Sequence, residues 1–126
     1  GLFGRRGGGG FQGARRVGVC LDTCHLFAAG YDIRSAAGYH AAMDECAREV
    51  GMSRVLAFHL NDARAPLGSG LDRHEHIGRG QLGLPAFRLL LNDPRLGEVP
   101  MILESPKGPD YAEDRINLAR LRSLLP

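Results

Sequence analysis

Apolar and polar residues fall in blocks along this chain, and the period changes from block to block. Val17–Leu21 (VGVCL), Val55–Leu60 (VLAFHL) and Val99–Leu103 (VPMIL) are short, almost continuously apolar runs, the signature of strands buried on both faces. Between them the period lengthens to that of a helix. Over residues 36–50, Tyr39, Met43, Cys46 and Val50 recur at three-to-four spacing, with Ser35 placed to cap the first turn and Gly51 just past the last. Pro85 opens a second, shorter helix carrying Phe87, Leu90 and Leu91 on one side, and Leu118, Leu121 and Leu125 mark a final one. Residues 61–83 read as a long polar loop. Pro100 falls near the start of the third strand, where a missing N–H is tolerated.

Strands apolar on both faces and alternating with helices predict an α/β fold, a parallel sheet covered by helices. Three such units are visible, and no repeat links them. Three parallel strands leave two open edges, whereas eight close into a barrel of about 250 residues. The expected class is therefore the C-terminal part, about three βα units, of a TIM (β/α)8 barrel. Residues 1–16 (GLFGRRGGGGFQGARR) have no apolar period and read as a flexible, Gly/Arg-rich lead-in to a unit spanning 17–126. The chain of 126 residues begins with Gly1 rather than methionine and reads as a portion of a longer product.

The chemistry gathers at the strand ends. Asp22 follows the first strand, His59 lies near the end of the second, and Glu104 follows the third. Parallel strands point one way, so these three residues meet at the face where barrel active sites form. Each has an ordinary use alone: a turn-forming or capping aspartate, a hydrogen-bonded core histidine, a surface carboxylate. Together they are three groups costly to bury, and a shared cation offsets that cost. Asp22-Thr23-Cys24-His25 and Asp72-Arg73-His74 extend the set. Asp72 and His74 are two apart and leave one face of an extended loop, with Arg73 turned toward solvent or a phosphate. Asp22 and His25, three apart in a turn, can serve two adjacent metals. His76, His40, Asp62 and Glu75 have weaker claims, and His40 reads as a surface or packing residue of its helix. Oxygen and nitrogen ligands without paired cysteines point to zinc, or a similar metal, used for hydrolysis.

Charge adds little. The formal net charge is +2, and without Arg5, Arg6, Arg15 and Arg16 the 16 basic residues become 12 against 14 acidic ones, which makes no case for nucleic acid. Cys20, Cys24 and Cys46 form no CxxC pair and read as reduced thiols in a cytoplasmic setting, Cys20 and Cys24 as small buried apolar groups. No apolar run reaches the ~18 residues of a membrane span, and no signal-peptide core is present.

GVCLDTCHLFAAGYDIR, AFHLNDARAPLGSGLDRHEHIGRGQLG and ILESP, in this order, resemble the C-terminal portion of endonuclease IV. That family is the zinc-dependent apurinic/apyrimidinic endonuclease of the xylose isomerase-like TIM-barrel superfamily. The resemblance runs from Arg16 to Leu124. It implies up to three zinc ions, with Asp22, His59 and Glu104 coordinating one and His25, Asp72 and His74 completing a second. The remaining zinc would use residues of earlier strands that have no counterpart in this chain. The implied reaction is hydrolysis of DNA 5′ to an abasic deoxyribose by water activated on zinc, with no protein base required. Arg34, Arg64 and Arg73 would contact DNA phosphates, and the full-length form would be a monomer. Two other readings remain open at this point. One is a single-metal sugar isomerase or epimerase of the same superfamily, and the other is an inactive, truncated metal-binding remnant.

Overall fold

The computed structural model describes residues 17–106 and 108–126, so the expected lead-in over residues 1–16 lies outside the described residues. The strands are β1 (Val19–Asp22), β2 (Val55–Leu60), β3 (Asp62–Ala63), β4 (His74–Glu75) and β5 (Met101–Leu103). The helices are α1 (Thr23–Ala28), α2 (Ala36–Glu49), α3 (Leu84–Leu91) and α4 (Ala112–Arg122), with 3₁₀ turns at Met52–Arg54 and Pro94–Leu96. β1, β2 and β5 form a parallel sheet with β2 in the middle, and β3 pairs with β4 in a separate antiparallel ribbon. The α/β expectation holds: parallel strands are joined by helical crossovers, as in a barrel wall.

Local chemistry explains the element ends. The Ser35 hydroxyl accepts from Gly38 N at 3.1 Å, closing the first turn of α2. Gly51 follows the last turn with φ +96°, a left-handed position that suits glycine, and its N–H bonds back to Cys46 O at 3.1 Å. Pro85 sits in the first turn of α3, where its missing N–H costs nothing. β5 is shorter than the expected Val99–Leu103. Pro100 has no N–H for the ladder, although its carbonyl accepts from Phe58 N at 2.9 Å.

The core lies between one face of the sheet and the helices. Leu21 and Phe58 from the strands meet Phe27, Tyr39, Met43, Cys46, Phe87 and Leu90 from the helices. Burying side chains of this size stabilises by about 1.5–3 kcal/mol each. Two expectations about apolar residues need correction. The strands are not buried on both faces: Cys20 is exposed and Ile102 is 50% exposed, because among the described residues nothing covers the second face of the sheet. The final helix does not use Leu118, Leu121 and Leu125 as its stripe. The chain tightens after Arg122, with Leu124 N bonding to Leu121 O, and this turns Leu124 rather than Leu125 inward beside Leu121.

A polar cluster supports the base of the core. The hydroxyl of buried Tyr39 donates to Asp93 Oδ2 at 2.7 Å, and Arg95 grips the same carboxylate through Nε and Nη2 at 3.2 and 3.0 Å. Burial pushes the Asp93 carboxyl up, but the Arg95 and Tyr39 hydrogen bonds outweigh it and hold it below the usual 3.8. A carboxyl depressed in the folded state adds stability that is present above its unfolded pKa and lost as pH falls through the folded value. Urea unfolding of the chain should therefore show stability dropping below about pH 4, with a flatter acid limb in Asp93→Asn. An unchanged acid slope in that variant would contradict the assignment.

Candidate metal centre

The strand register brings the first set of expected residues together. Asp22 and His59 are direct partners across β1 and β2, His59 is paired with Ile102 across β2 and β5, and Glu104 follows β5. Asp22 does not simply follow the strand. It ends β1 and caps α1, its Oδ1 accepting from His25 N at 3.0 Å. His59 Nδ1 touches Glu104 Oε1 directly and lies 3.8 Å from Asp22 Oδ2.

The second set arrives by a different route. β3 extends the chain just past β2, and β4 pairs with it so that Ala63 lies opposite His74. Arg64 N donates to Arg73 O at 3.0 Å, continuing the pairing back toward Asp72. His74 Nε2 thus comes within 3.3 Å of Asp72 Oδ1 and 3.7 Å of Asp22 Oδ2, and His25 Nδ1 lies 3.6 Å from Asp72 Oδ2. The expected common side for Asp72 and His74 is what the structure shows. The polar stretch 61–83 is therefore not all loop; its β3–β4 ribbon positions a site residue.

Buried Asp62 anchors the far side of that ribbon. Its carboxylate accepts from the backbone N–H groups of Ala63, Gly78, Gly80, Leu82 and Gly83 at 2.8–3.4 Å. The approach at Gly80 is so close that a Cβ there would stand 2.5 Å from Asp62 Oδ1. Asp62 is a scaffold rather than a ligand. His76 bonds to the side chain of buried Asn117 at 3.2 Å, Glu75 faces Arg64, and His40 is exposed on α2.

Two groups can each hold an ion: Asp22, His59 and Glu104, and Asp22, Cys24, Asp72 and His74. Within each group the ligand atoms all lie within 4.8 Å of one another. Tetrahedral coordination with bonds of about 2.0–2.2 Å places ligand atoms roughly 3.4 Å apart, close to the separations seen. Asp22 belongs to both groups, which the division into two separate sets did not anticipate, and His25, expected with Asp72 and His74, belongs to neither, although its Nδ1 lies 3.6 Å from Asp72 Oδ2. Cys24 was expected only as a buried apolar thiol. It is buried, but its Sγ also donates to Arg73 O at 3.4 Å at the rim of the second group. Burial, followed by the neighbouring Asp72 and Asp22 charges, pushes that thiol up to about 12. Cys20, expected to be buried, is exposed on the open face of the sheet.

The electrostatics favour a cation. Asp22, Asp72 and Glu104 stand close together, and among the described residues their ion-pair contacts are all to histidines rather than to Arg or Lys. An imidazole brings no positive charge unless protonated. Three carboxylates with only such neighbours repel one another, and bound divalent ions would relieve that repulsion. Of the three arginines considered for DNA, Arg34 is engaged by Asp32 at 2.8 Å and Arg64 faces Glu75 at 3.6 Å. Arg73 is exposed and pairs with no carboxylate among the described residues.

The sequence profile of the xylose isomerase-like TIM-barrel family matches residues 11–123. The chain belongs to this family. It is 60% identical over 110 residues to a protein named probable endonuclease 4 from Chloroflexus aurantiacus, covering 87% of this chain and 39% of that protein. A protein of the same name from Trichlorobacter lovleyi is 55% identical over 109 residues, covering 86% and 39%. The crystal structure of endonuclease IV from Thermus thermophilus superposes with a TM-score of 0.74 at 43% identity, over 85% of this chain and 38% of that one. The chain thus spans about two-fifths of the length of these relatives, and its parallel sheet is part of a TIM-barrel wall.

If both groups hold metal through Asp22, added zinc should raise the unfolding free energy of the chain by about 2.7 kcal/mol for each bound ion, about 5.4 kcal/mol for two, at one hundred times the dissociation constant. Asp22→Ala should abolish the gain, whereas Glu104→Ala should remove only one of two bound ions. Retention of both ions by Asp22→Ala, read by equilibrium dialysis and metal analysis, would refute the shared ligand.

Proposed function

We propose that this chain supplies the C-terminal part of the zinc centre of an endonuclease IV-type hydrolase that cleaves DNA 5′ to abasic sites. The observation that carries this reading is the convergence of Asp22, His59 and Glu104 at the ends of three parallel strands, beside Asp72 and His74. Similarity to proteins named endonuclease 4 supports it. Two ligand groups also favour a multi-metal phosphodiesterase over a single-metal sugar isomerase. No helix among the described residues is long and apolar enough to cross a membrane, and the three free thiols suit a reducing, cytoplasmic setting.

The donor set, all carboxylate and imidazole apart from the Cys24 thiol, fits zinc used for hydrolysis. Asp22, His59 and Glu104 would hold one ion, and His25, Asp72 and His74, with Asp22 at the junction, a second. Zinc bound there would supply Lewis acidity toward a phosphate oxygen and lower the pKa of a coordinated water to about 7. The chain's own residues orient that chemistry. His74 Nδ1 lies 3.1 Å from the Glu104 carbonyl, which can only accept, so Nδ1 carries the hydrogen, and the neutral ring would present its Nε2 lone pair toward Asp22 and Asp72. Asp72, 43% exposed, marks the open side from which a phosphodiester would approach. Arg73 beside it is the arginine best placed to meet a DNA phosphate.

A chimera tests the reading directly. Residues 17–126 would replace the matching segment of the Thermus thermophilus enzyme, with a synthetic abasic duplex as substrate. Zinc-dependent nicking is expected, with a loss of more than about 100-fold on His74→Ala. A folded, zinc-loaded chimera that leaves the abasic duplex intact would reject the assignment.

A further inference from the structure

Asn61 links two of the candidate ligands, Asp22 at the end of β1 and Glu104 just after β5, yet it is no ligand itself. It directly follows β2 and is fully buried. Its backbone and Thr23 exchange hydrogen bonds: Asn61 N donates to Thr23 Oγ1 at 2.9 Å, and Thr23 Oγ1 donates to Asn61 O at 2.6 Å. That exchange fastens the start of α1 to the end of β2. The side chain then spans the site. Glu104 N, which can only donate, bonds to Asn61 Oδ1 at 3.0 Å. The amide orientation follows from this, and Nδ2 is left to donate to Asp22 Oδ2 at 2.9 Å.

One carboxamide therefore ties the Asp22 carboxylate on β1 to the Glu104 backbone beyond β5. Asp22 Oδ2 is also the oxygen that approaches both His59 and His74. With Oδ1 held by His25 N and Oδ2 by Asn61, the carboxylate cannot rotate without breaking a bond to one side or the other. We infer that Asn61 is a positioning residue of the metal centre: it fixes the rotation of the shared ligand Asp22 and the spacing between Asp22 and Glu104. An amide suits this position better than a carboxylate, which could accept from Glu104 N but would repel Asp22. Hydrogen bonds of this outer kind commonly account for about 10–100-fold in metal affinity.

The inference rests on the metal-centre reading, and one experiment separates the two. Co²⁺ is titrated into the full 126-residue chain and into Asn61→Leu, which keeps the bulk and removes both contacts. Visible absorption gives the affinity and coordination, and circular dichroism of the metal-free proteins gives the fold. Asn61→Leu should bind Co²⁺ about 10–100-fold more weakly, with an altered d–d spectrum, at a temperature where it is folded. Should the leucine variant fail to fold, Asn61→Ala, which adds no branched bulk, provides the same comparison. Equal affinity and an unchanged spectrum in a folded variant would overturn the positioning role and leave the metal centre standing. Absence of Co²⁺ binding by the unsubstituted chain would overturn both.

Discussion

Strand register is the constraint on which the site depends. On the helix-facing side of the sheet, Leu21 is paired with Phe58 and Phe58 with Met101, and this apolar row is fixed by burial against the helices. Side chains alternate along a strand, so fixing that row also fixes the row on the other side. Asp22 and His59 then emerge side by side at the open face, with Glu104 just beyond Ile102. A slip of one residue in any strand would turn its ligand into the hydrophobic layer and expose a core residue. The same apolar burial that holds the fold thus sets where the metal ligands meet.

Polar contacts refine what register makes possible. The Asn61 carboxamide, the Thr23–Asn61 exchange and the bond between His74 and the Glu104 carbonyl link the ends of β1, β2, β4 and β5. Asp62 does the same for the ribbon behind His74 by collecting backbone amides. None of these contacts neutralises the site. Asp22, Asp72 and Glu104 keep their mutual repulsion, and the surrounding hydrogen bonds hold that repulsion in one geometry. Such an arrangement is preorganised for a divalent ion, because the ligands need not be gathered when it binds.

Much of this was legible in the sequence, for identifiable reasons. β2 matches its apolar run to the residue, and α2 was bounded by Ser35 and Gly51, residues whose chemistry allows few other positions. The strand-end residues Asp22, His59 and Glu104 were readable because parallel topology alone predicts that they meet. The sharing of Asp22 between two groups was not readable, since it depends on the β3–β4 ribbon, two residues in each strand and too short to leave a periodic signal. Asn61 was overlooked as an ordinary polar residue at the start of a loop. The available signal was an asparagine directly after a strand whose penultimate residue is a candidate ligand. The Leu118–Leu121–Leu125 stripe failed at both ends: Asn117 rather than Leu118 is buried one turn before Leu121, and the backbone tightens past Arg122 so that Leu124 rather than Leu125 turns inward. Exposure of Cys20 and Ile102 follows from how much of a barrel wall these strands form, which apolar content cannot report.

The most direct test of this account is X-ray absorption spectroscopy at the zinc edge on the zinc-loaded chain, compared with its Asp22→Ala variant. The account predicts a shell dominated by oxygen and imidazole nitrogen at about 2.0–2.2 Å, which collapses when Asp22 is removed. A shell dominated by sulfur at about 2.3 Å, or one unchanged by loss of Asp22, would contradict it.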